Sequence, residues 1–409
     1  MKGIFSMTDT IKSKLMLLKI AAAARMAVEA TVCHLTNLGG ISNGVQYVKP
    51  VHRSSPLSKT GLKSIVRCAV DPMHPKLRSV PCQLDAEFNV PNATVGHNLL
   101  HGTSVYKAGV VALELQRIWL AECGLPKAEL DLLGPEDMFL GGATITYLLH
   151  FSSPAEAQRV VAAIKQTGKV LNPRCASFES ANLTVKLPYR NFTIQAYIKT
   201  NLSHCKFPQD APVDDLISEA SSVVRIEVKL GYAYLKEHNL AALTSWRDAN
   251  KVGLYESIFN ETVRGAFRLG ELRHKVPREE IFHRLAPTAG DMLRWYLDGH
   301  DVRAFPPVQT STNPSKRISA LKRQILSVAK IDVAIPWAEH VQLRCFELDD
   351  QLRYPGNFEP TADAAPWCFC DSNWGAIRKR LRDCYQSALT TSTATGATVT
   401  SKGGRHVSR

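Results

Sequence analysis

Residues 192–199, Phe-Thr-Ile-Gln-Ala-Tyr-Ile-Lys, alternate apolar and polar side chains, the period-two signature of a half-buried strand. With Phe192, Ile194, Ala196 and Ile198 turned to a core, Thr193, Gln195, Tyr197 and Lys199 share the opposite face. Further apolar runs predict strands over 64–70, 80–88, 143–151, 176–188 and 223–230, with the turn-forming cluster 71–75 between the first two.

A different period appears elsewhere. Val111, Leu115, Ile118 and Trp119 recur on one helical face, and Gly124 with Pro126 supplies the stop. A second helix is expected over 154–167, with Ser153 as its N-cap and Pro154 in its first turn. A third lies near 213–220, and 232–335 read as helical throughout. Residues 15–28, an apolar run broken by Lys19 and Arg25, predict an amphipathic helix. The Thr/Ser/Ala/Gly tail from 387 reads as disordered.

Strands and helices alternate as β-β-α-β-α-β-β-α-β, without a βαβ rhythm. That order predicts an α+β fold built on an antiparallel sheet. Its parts are a helical extension over 1–60, an α+β domain over 61–231 and a helical region over 232–335. A basic and aromatic segment over 336–386 and the tail over 387–409 complete it.

The chain has 409 residues, of which 45% are hydrophobic and 21% charged, enough for a sizeable core. A net charge of +13 suggests a polyanionic partner, nucleic acid or an anionic surface. No uncharged apolar run is long enough to span a bilayer, and Lys19 and Arg25 argue against a secretory signal. The ten cysteines are scattered, and the closest pair, Cys368 and Cys370, lacks zinc-knuckle spacing. The expected setting is a reducing cytoplasm, with no membrane partner.

A phenol and an ammonium two residues apart on an open sheet face suit phosphodiester chemistry. The phenolate attacks phosphorus and the cation steadies the developing charge. Tyr232 and Tyr234 are a competing pair, but they open a predicted helix, where aromatic residues more often belong to the core. Arg225 and Glu227 share a strand face and read as a structural ion pair.

Four stretches together resemble the gene II/X replication initiators of filamentous phages and related plasmids. Gly96-His97-Asn98 with Gly102-Thr103 is similar to that family's histidine loop, with one extra residue. Tyr197-Ile-Lys199 is similar to its Tyr-x-Lys strand. Val224-Arg-Ile-Glu227 followed by Tyr234-Leu-Lys236 matches a third element, and 293–303 with Ile331-Asp332 a fourth. The resemblance covers roughly 60–335.

It implies a rolling-circle replication endonuclease that nicks one strand of a double-stranded origin. Tyr197 would be the nucleophile holding the 5′ end, and Lys199 its phosphate anchor or charge partner. Implied partners are single- and double-stranded origin DNA and host helicase and polymerase. Such chemistry normally uses Mg²⁺ or Mn²⁺. The candidate ligands are His97, His150 and Glu179, with His101, Asp85 and Glu87 behind them.

The chain departs from the family in three places. Thr144-Ile-Thr146 stands where Arg-Ile-Asp is usual, no acidic residue follows Lys199 closely, and the opening strand is missing from the pattern. The lost carboxylate favours an alternative: a non-catalytic origin-binding or copy-number regulatory protein.

The helical region adds a DNA-binding candidate. Thr288–Asp291 reads as a capping box, and Ser315 as the cap of a helix over 316–330. Ile318, Leu321, Ile325 and Val328 form its apolar face. Lys316, Arg323 and Lys330 lie opposite, flanked by Arg317 and Lys322, with Arg303 in the preceding loop. Such a pair of helices could sit in a groove like a helix-turn-helix, mainly through phosphates. Arg378, Lys379, Arg380 and Arg382 form a second basic cluster, suited to following the backbone.

Overall fold

The computed structural model describes residues 7–20, 41–42, 45–47, 51–69, 81–171, 176–178, 184–200, 202–247, 252–269, 276–342, 345–356 and 359–399. Its strands are β1 Met7–Met16, β2 Ile41–Ser42, β3 Val45–Tyr47, β4 Val51–Ser54, β5 Gly61–Ala69, β6 Pro81–Asn89 and β7 His101–Gly102. Then follow β8 Met138–His150, β9 Ala176–Phe178, β10 Thr184–Pro188, β11 Phe192–Ile198, β12 Val223–Gly231 and β13 Phe369–Cys370.

Eleven strands form one sheet in the order β2-β3-β5-β6-β1-β8-β12-β11-β10-β9, with β4 also on β5. Every pairing in it is antiparallel. The α+β architecture expected from the element order is therefore present.

One face of the sheet carries the core. Ile194, Ala196, Val224, Ile226, Val228, Ile145 and Tyr147 are buried there, in one cluster with Val111, Leu115 and Ile118 of the helix Val105–Glu122. Burying each such aliphatic side chain contributes roughly 1.5–3 kcal/mol. Ser104 caps that helix by accepting from the Lys107 N–H, and Gly124, at φ +90°, ends it in the left-handed region. Ser153 likewise accepts from the Glu156 N–H at the start of the helix Pro154–Leu171. The long helix Trp374–Val399 packs on Val105–Glu122.

The N-terminal expectation is corrected. Met7–Met16 is a strand, inserted between β6 and β8, and β2 to β4 are strands too. The N-terminal region thus contributes a strand to the sheet where none was expected. Ile11 and Leu15 are buried four residues apart, a spacing that mimics a helical stripe but also fits alternate strand positions. Residues 21–28 of the expected helix lie outside the described residues. The tail expectation is corrected as far as Val399, where the last helix ends, with Tyr385 and Ala388 buried; residues 400–409 lie outside the described residues.

Residues 279–337 build a separate small core from Phe282, Met292, Leu293, Tyr296, Leu321 and Ile325. The helix Pro287–Leu297 starts at Ala286 without a side-chain cap, so Thr288 does not open it. Asn313, not Ser315, caps Pro314–Ala329, accepting from the Lys316 N–H at 3.1 Å. Between them the chain forms a 3₁₀ turn, Val302–Ala304, and a short helix, Pro306–Gln309. The connection between the two helices is therefore itself structured.

Candidate active site

Tyr197 sits on β11 directly opposite Arg225 of β12, and Gln195 opposite Glu227. On the other side of β12, Glu227 faces Thr146 and Arg225 faces Leu148 of β8. These registers gather Tyr197, Arg225, Glu227 and Thr146 on the face away from the core. The expected parity of 192–199 holds: Ile194 and Ala196 are buried, whereas Tyr197 is partly exposed.

This end of the face is roofed rather than open. The turn after the helix Val90–Val95 carries Gly96, His97 and Asn98 over the strands. Gly96 has φ +87°, and a Cβ there would lie 1.9 Å from the Lys206 carbonyl oxygen. Only glycine fits both demands. Lys206 donates from its own N–H to the Gly96 carbonyl at 2.7 Å, and Phe207 stacks on His97 at 4.9 Å. Leu99, Leu100, Leu148, Leu216 and Ala220 close a small apolar cluster beneath the helix Val213–Ser221.

β7 pairs in parallel with β13, setting His101 beside Phe369 and Gly102 beside Cys370. Thr103 donates to the Asp371 carboxylate at 3.0 Å, and Lys107 reaches the same group at 2.8 Å. The 336–386 segment is therefore partly a buttress for the histidine loop.

Arg225, 1% exposed, is the hub. Its Nη1 donates to the carbonyls of Asn98 at 2.6 Å and Leu99 at 3.1 Å, and its Nε donates to the Tyr197 hydroxyl at 3.2 Å. Its Nη2 lies 3.4 Å from Glu227 Oε1. The Tyr197 hydroxyl donates to that same carboxylate oxygen, and Lys229 lies 3.8 Å from the other. The phenol thus has an acceptor for its proton and a cationic donor for its oxygen, the arrangement that activates a nucleophile.

His97 and His101 are both fully buried. Burial pushes His97 down to about 4, against the pull of the Trp367 backbone, while its Nδ1 accepts from the Leu99 N–H at 3.4 Å. Burial first, then the Arg225 charge, hold His101 well below the usual imidazole range. Neither ring nitrogen of His101 has a hydrogen-bond partner among the described residues. The charges of Lys199 and Glu227 both act on His101, which puts the imidazole in the electrostatic neighbourhood of the tyrosine. Lys199, partly exposed just beyond β11, also acts on the half-buried Cys205 thiol.

The expected metal ligands do not assemble. His150 faces Val223 at the C-terminal end of β8, the next same-face position beyond Leu148, and lines a separate cavity of about 670 Å³ with Glu156, Glu219 and Glu359. Glu179 lies outside the described residues. Asp85 bonds Gln83, and Glu87 pairs with Lys12 at 3.0 Å, both on β6. Among the described residues no three His, Cys, Asp or Glu side chains form a group that could hold an ion. The donors present fit Mg²⁺ or Mn²⁺ only in part, through the partnerless nitrogens of His101.

Tyr234, the competing nucleophile, is buried, donates to Glu261 at 2.8 Å, and is pushed upward by burial. Tyr232 is exposed. Lys316, Arg317, Arg323, Lys330 and Arg303 are all exposed on the separate helical core. They form a basic surface outside the tyrosine site. The same holds for Arg378, Lys379 and Arg382, while Arg380 donates to the Leu57 carbonyl at 2.8 Å.

Sequence reasoning treated Arg225 and Glu227 as a structural pair and missed their bonds to Tyr197. Their shared strand parity was visible, but the register that aligns them with Tyr197 was not. Asp371 carried no signal at all.

The chain matches no protein-family model and no curated protein sequence. No helix among the described residues is long and apolar enough to cross a membrane.

Proposed function

We propose that the protein is a rolling-circle replication initiator that nicks single-stranded origin DNA through Tyr197. The observation that carries the reading is the Tyr197 hydroxyl, held between the Glu227 carboxylate and the Arg225 guanidinium. Glu227 takes the phenolic proton as Tyr197 Oη attacks the scissile phosphorus. The bond from phosphorus to the 3′ oxygen breaks, and that oxygen leaves as a 3′ hydroxyl with the proton that Glu227 took up. The 5′ side stays on tyrosine as a phosphodiester. Arg225 steadies the phenolate, and Lys199 anchors the phosphate.

His101 would be the residue to hold a divalent ion, whose chemistry there would be Lewis-acid polarisation of the non-bridging oxygens. The exposed basic side chains on Pro314–Ala329 and Arg303 suit duplex origin DNA, and the net charge of +13 supports a polyanionic partner. Host helicase and polymerase would act on the freed 3′ end, in the cytoplasm of a bacterial cell.

The alternative, an origin-binding regulator without catalysis, draws on Thr146. Its hydroxyl is buried without a partner among the described residues, where the family resemblance calls for aspartate. Denaturing gels with labelled single-stranded origin oligonucleotides and Mg²⁺ or Mn²⁺ decide between the two. A covalent adduct that vanishes in Tyr197→Phe supports the nickase. DNA that is retarded on native gels yet uncleaved supports the regulator.

A further inference from the structure

Beyond the roofed end, the same sheet face lies open and carries an arrangement that the catalytic reading does not use. Phe139 and Tyr232, 39% and 48% exposed, are the exposed aromatic side chains among the described residues. Both flank one lysine. Lys14 of β1 lies directly opposite Phe139 of β8, and its Nζ sits 4.9 Å from the centre of the Tyr232 ring. Beside them is a cavity of about 290 Å³, lined among others by Lys12, Lys63, Asp85 and Glu87. Gly141 and Gly142 leave its edge free of side chains, Gly142 facing Lys12 in register.

We infer that this open half of the sheet is a track for single-stranded DNA, with Phe139 and Tyr232 as base-stacking stations on either side of Lys14. Exposed aromatic rings interleaved with lysines are what unpaired bases and their phosphates require. In a duplex the base faces are already covered, so the rings would have nothing to stack on. Charge complementarity points the same way. Lys12, Lys14, Lys63, Lys186 and Lys229 outnumber Asp85, Glu87 and Glu227 on this face.

The aromatic pair and the tyrosine share one face of the sheet. Lys229, the exposed position of β12, follows Arg225 and Glu227 along that strand, and Phe139 and Thr146 lie on the same face of β8. From Arg225 to Gly231 the strand spans about 20 Å, room for several nucleotides leading toward Tyr197. The direction of travel rests on the nicking reading, whereas the stacking stations do not.

The test uses the full chain carrying Tyr197→Phe, a labelled oligothymidylate and fluorescence anisotropy. Tyr232→Ala and Phe139→Ala should each weaken binding roughly 5- to 150-fold, and Tyr232→Phe should restore it. Lys12→Ala with Lys63→Ala should flatten the dependence of log affinity on log salt by about 0.7 for each phosphate no longer neutralised. Because both aromatic side chains are exposed, unchanged thermal melts should accompany these losses.

The inference is overturned if Tyr232→Ala binds oligothymidylate like the parent, or if it weakens blunt duplex equally. Adduct formation with Tyr197 intact is scored separately. Ring-dependent binding without an adduct sinks only the nickase reading, and an adduct with ring-independent binding sinks only the track.

Discussion

Arg225 donates to the Asn98 carbonyl at 2.6 Å, so one buried guanidinium joins the middle of the sheet to the histidine loop. The same group touches the Tyr197 hydroxyl. One side chain therefore bears both on the position of the loop and on the state of the phenol.

Removing that side chain should cost both. Arg225→Met leaves Glu227, 5% exposed, with only the more distant Lys229 for a cation, and leaves two carbonyls without their donor. Breaking a buried pair in this way typically destabilises by about 3–5 kcal/mol. Urea denaturation of Arg225→Met measures it; a loss below about 1 kcal/mol would mean that the loop is held by other groups.

Glu227→Gln keeps the shape but removes the proton acceptor. Single-turnover adduct formation should fall about 10²- to 10⁴-fold, the usual range for a positioned base. A change of less than about threefold would assign proton removal to another group.

Gly96→Ala should destabilise by about 2 kcal/mol or more. A left-handed conformation costs alanine roughly 1–2 kcal/mol, and the Lys206 carbonyl must also move away from the new methyl group. Thermal melts report the cost, and exposure of His97 to diethyl pyrocarbonate reports the loosened loop.

The pH dependence follows from His97. Its folded pKa of about 4 lies below the ordinary value of 6.5. The unfolded chain therefore binds more protons between those values, and stability rises with pH through that window. The contribution is fully present above about pH 6.5 and is lost as pH falls toward 4, on the order of 3 kcal/mol in all. Denaturant midpoints in chelator at pH 7 and 4.5 test this: His97→Phe should flatten the slope, and an unchanged slope would assign it elsewhere.

The basic helix makes a separate prediction. Lys316→Ala with Arg323→Ala should lower duplex affinity and reduce the salt slope by about 0.9 for each phosphate that loses its cation. Binding to oligothymidylate should change less than binding to duplex. Filter binding across a salt series checks both.

Much of the fold was legible. Alternation along 192–199 fixed which side chains of β11 face the core, and the spacing of Val111, Leu115 and Ile118 marked the helix beneath it. Strand parity placed Arg225 and Glu227 together. What remained hidden was pairing across distance, because register and strand order depend on contacts that no local pattern encodes. β1 shows this most clearly: Ile11, Ser13 and Leu15 become interior only because β6 and β8 flank them. The cap at Asn313 was misread for a local reason, since Ser315 two residues on has the same chemistry.

The Thr103 bond to Asp371 links positions separated by 268 residues. At cellular rates of synthesis the ribosome needs about 13–54 s to cover that interval. A nascent chain thus carries its tyrosine and histidines long before the strand that fastens their loop emerges. Ribosome-stalled chains ending ahead of Phe369 should show a loop that is cut quickly by protease. Protection in such chains would mean that the C-terminal strand is dispensable for closing the loop.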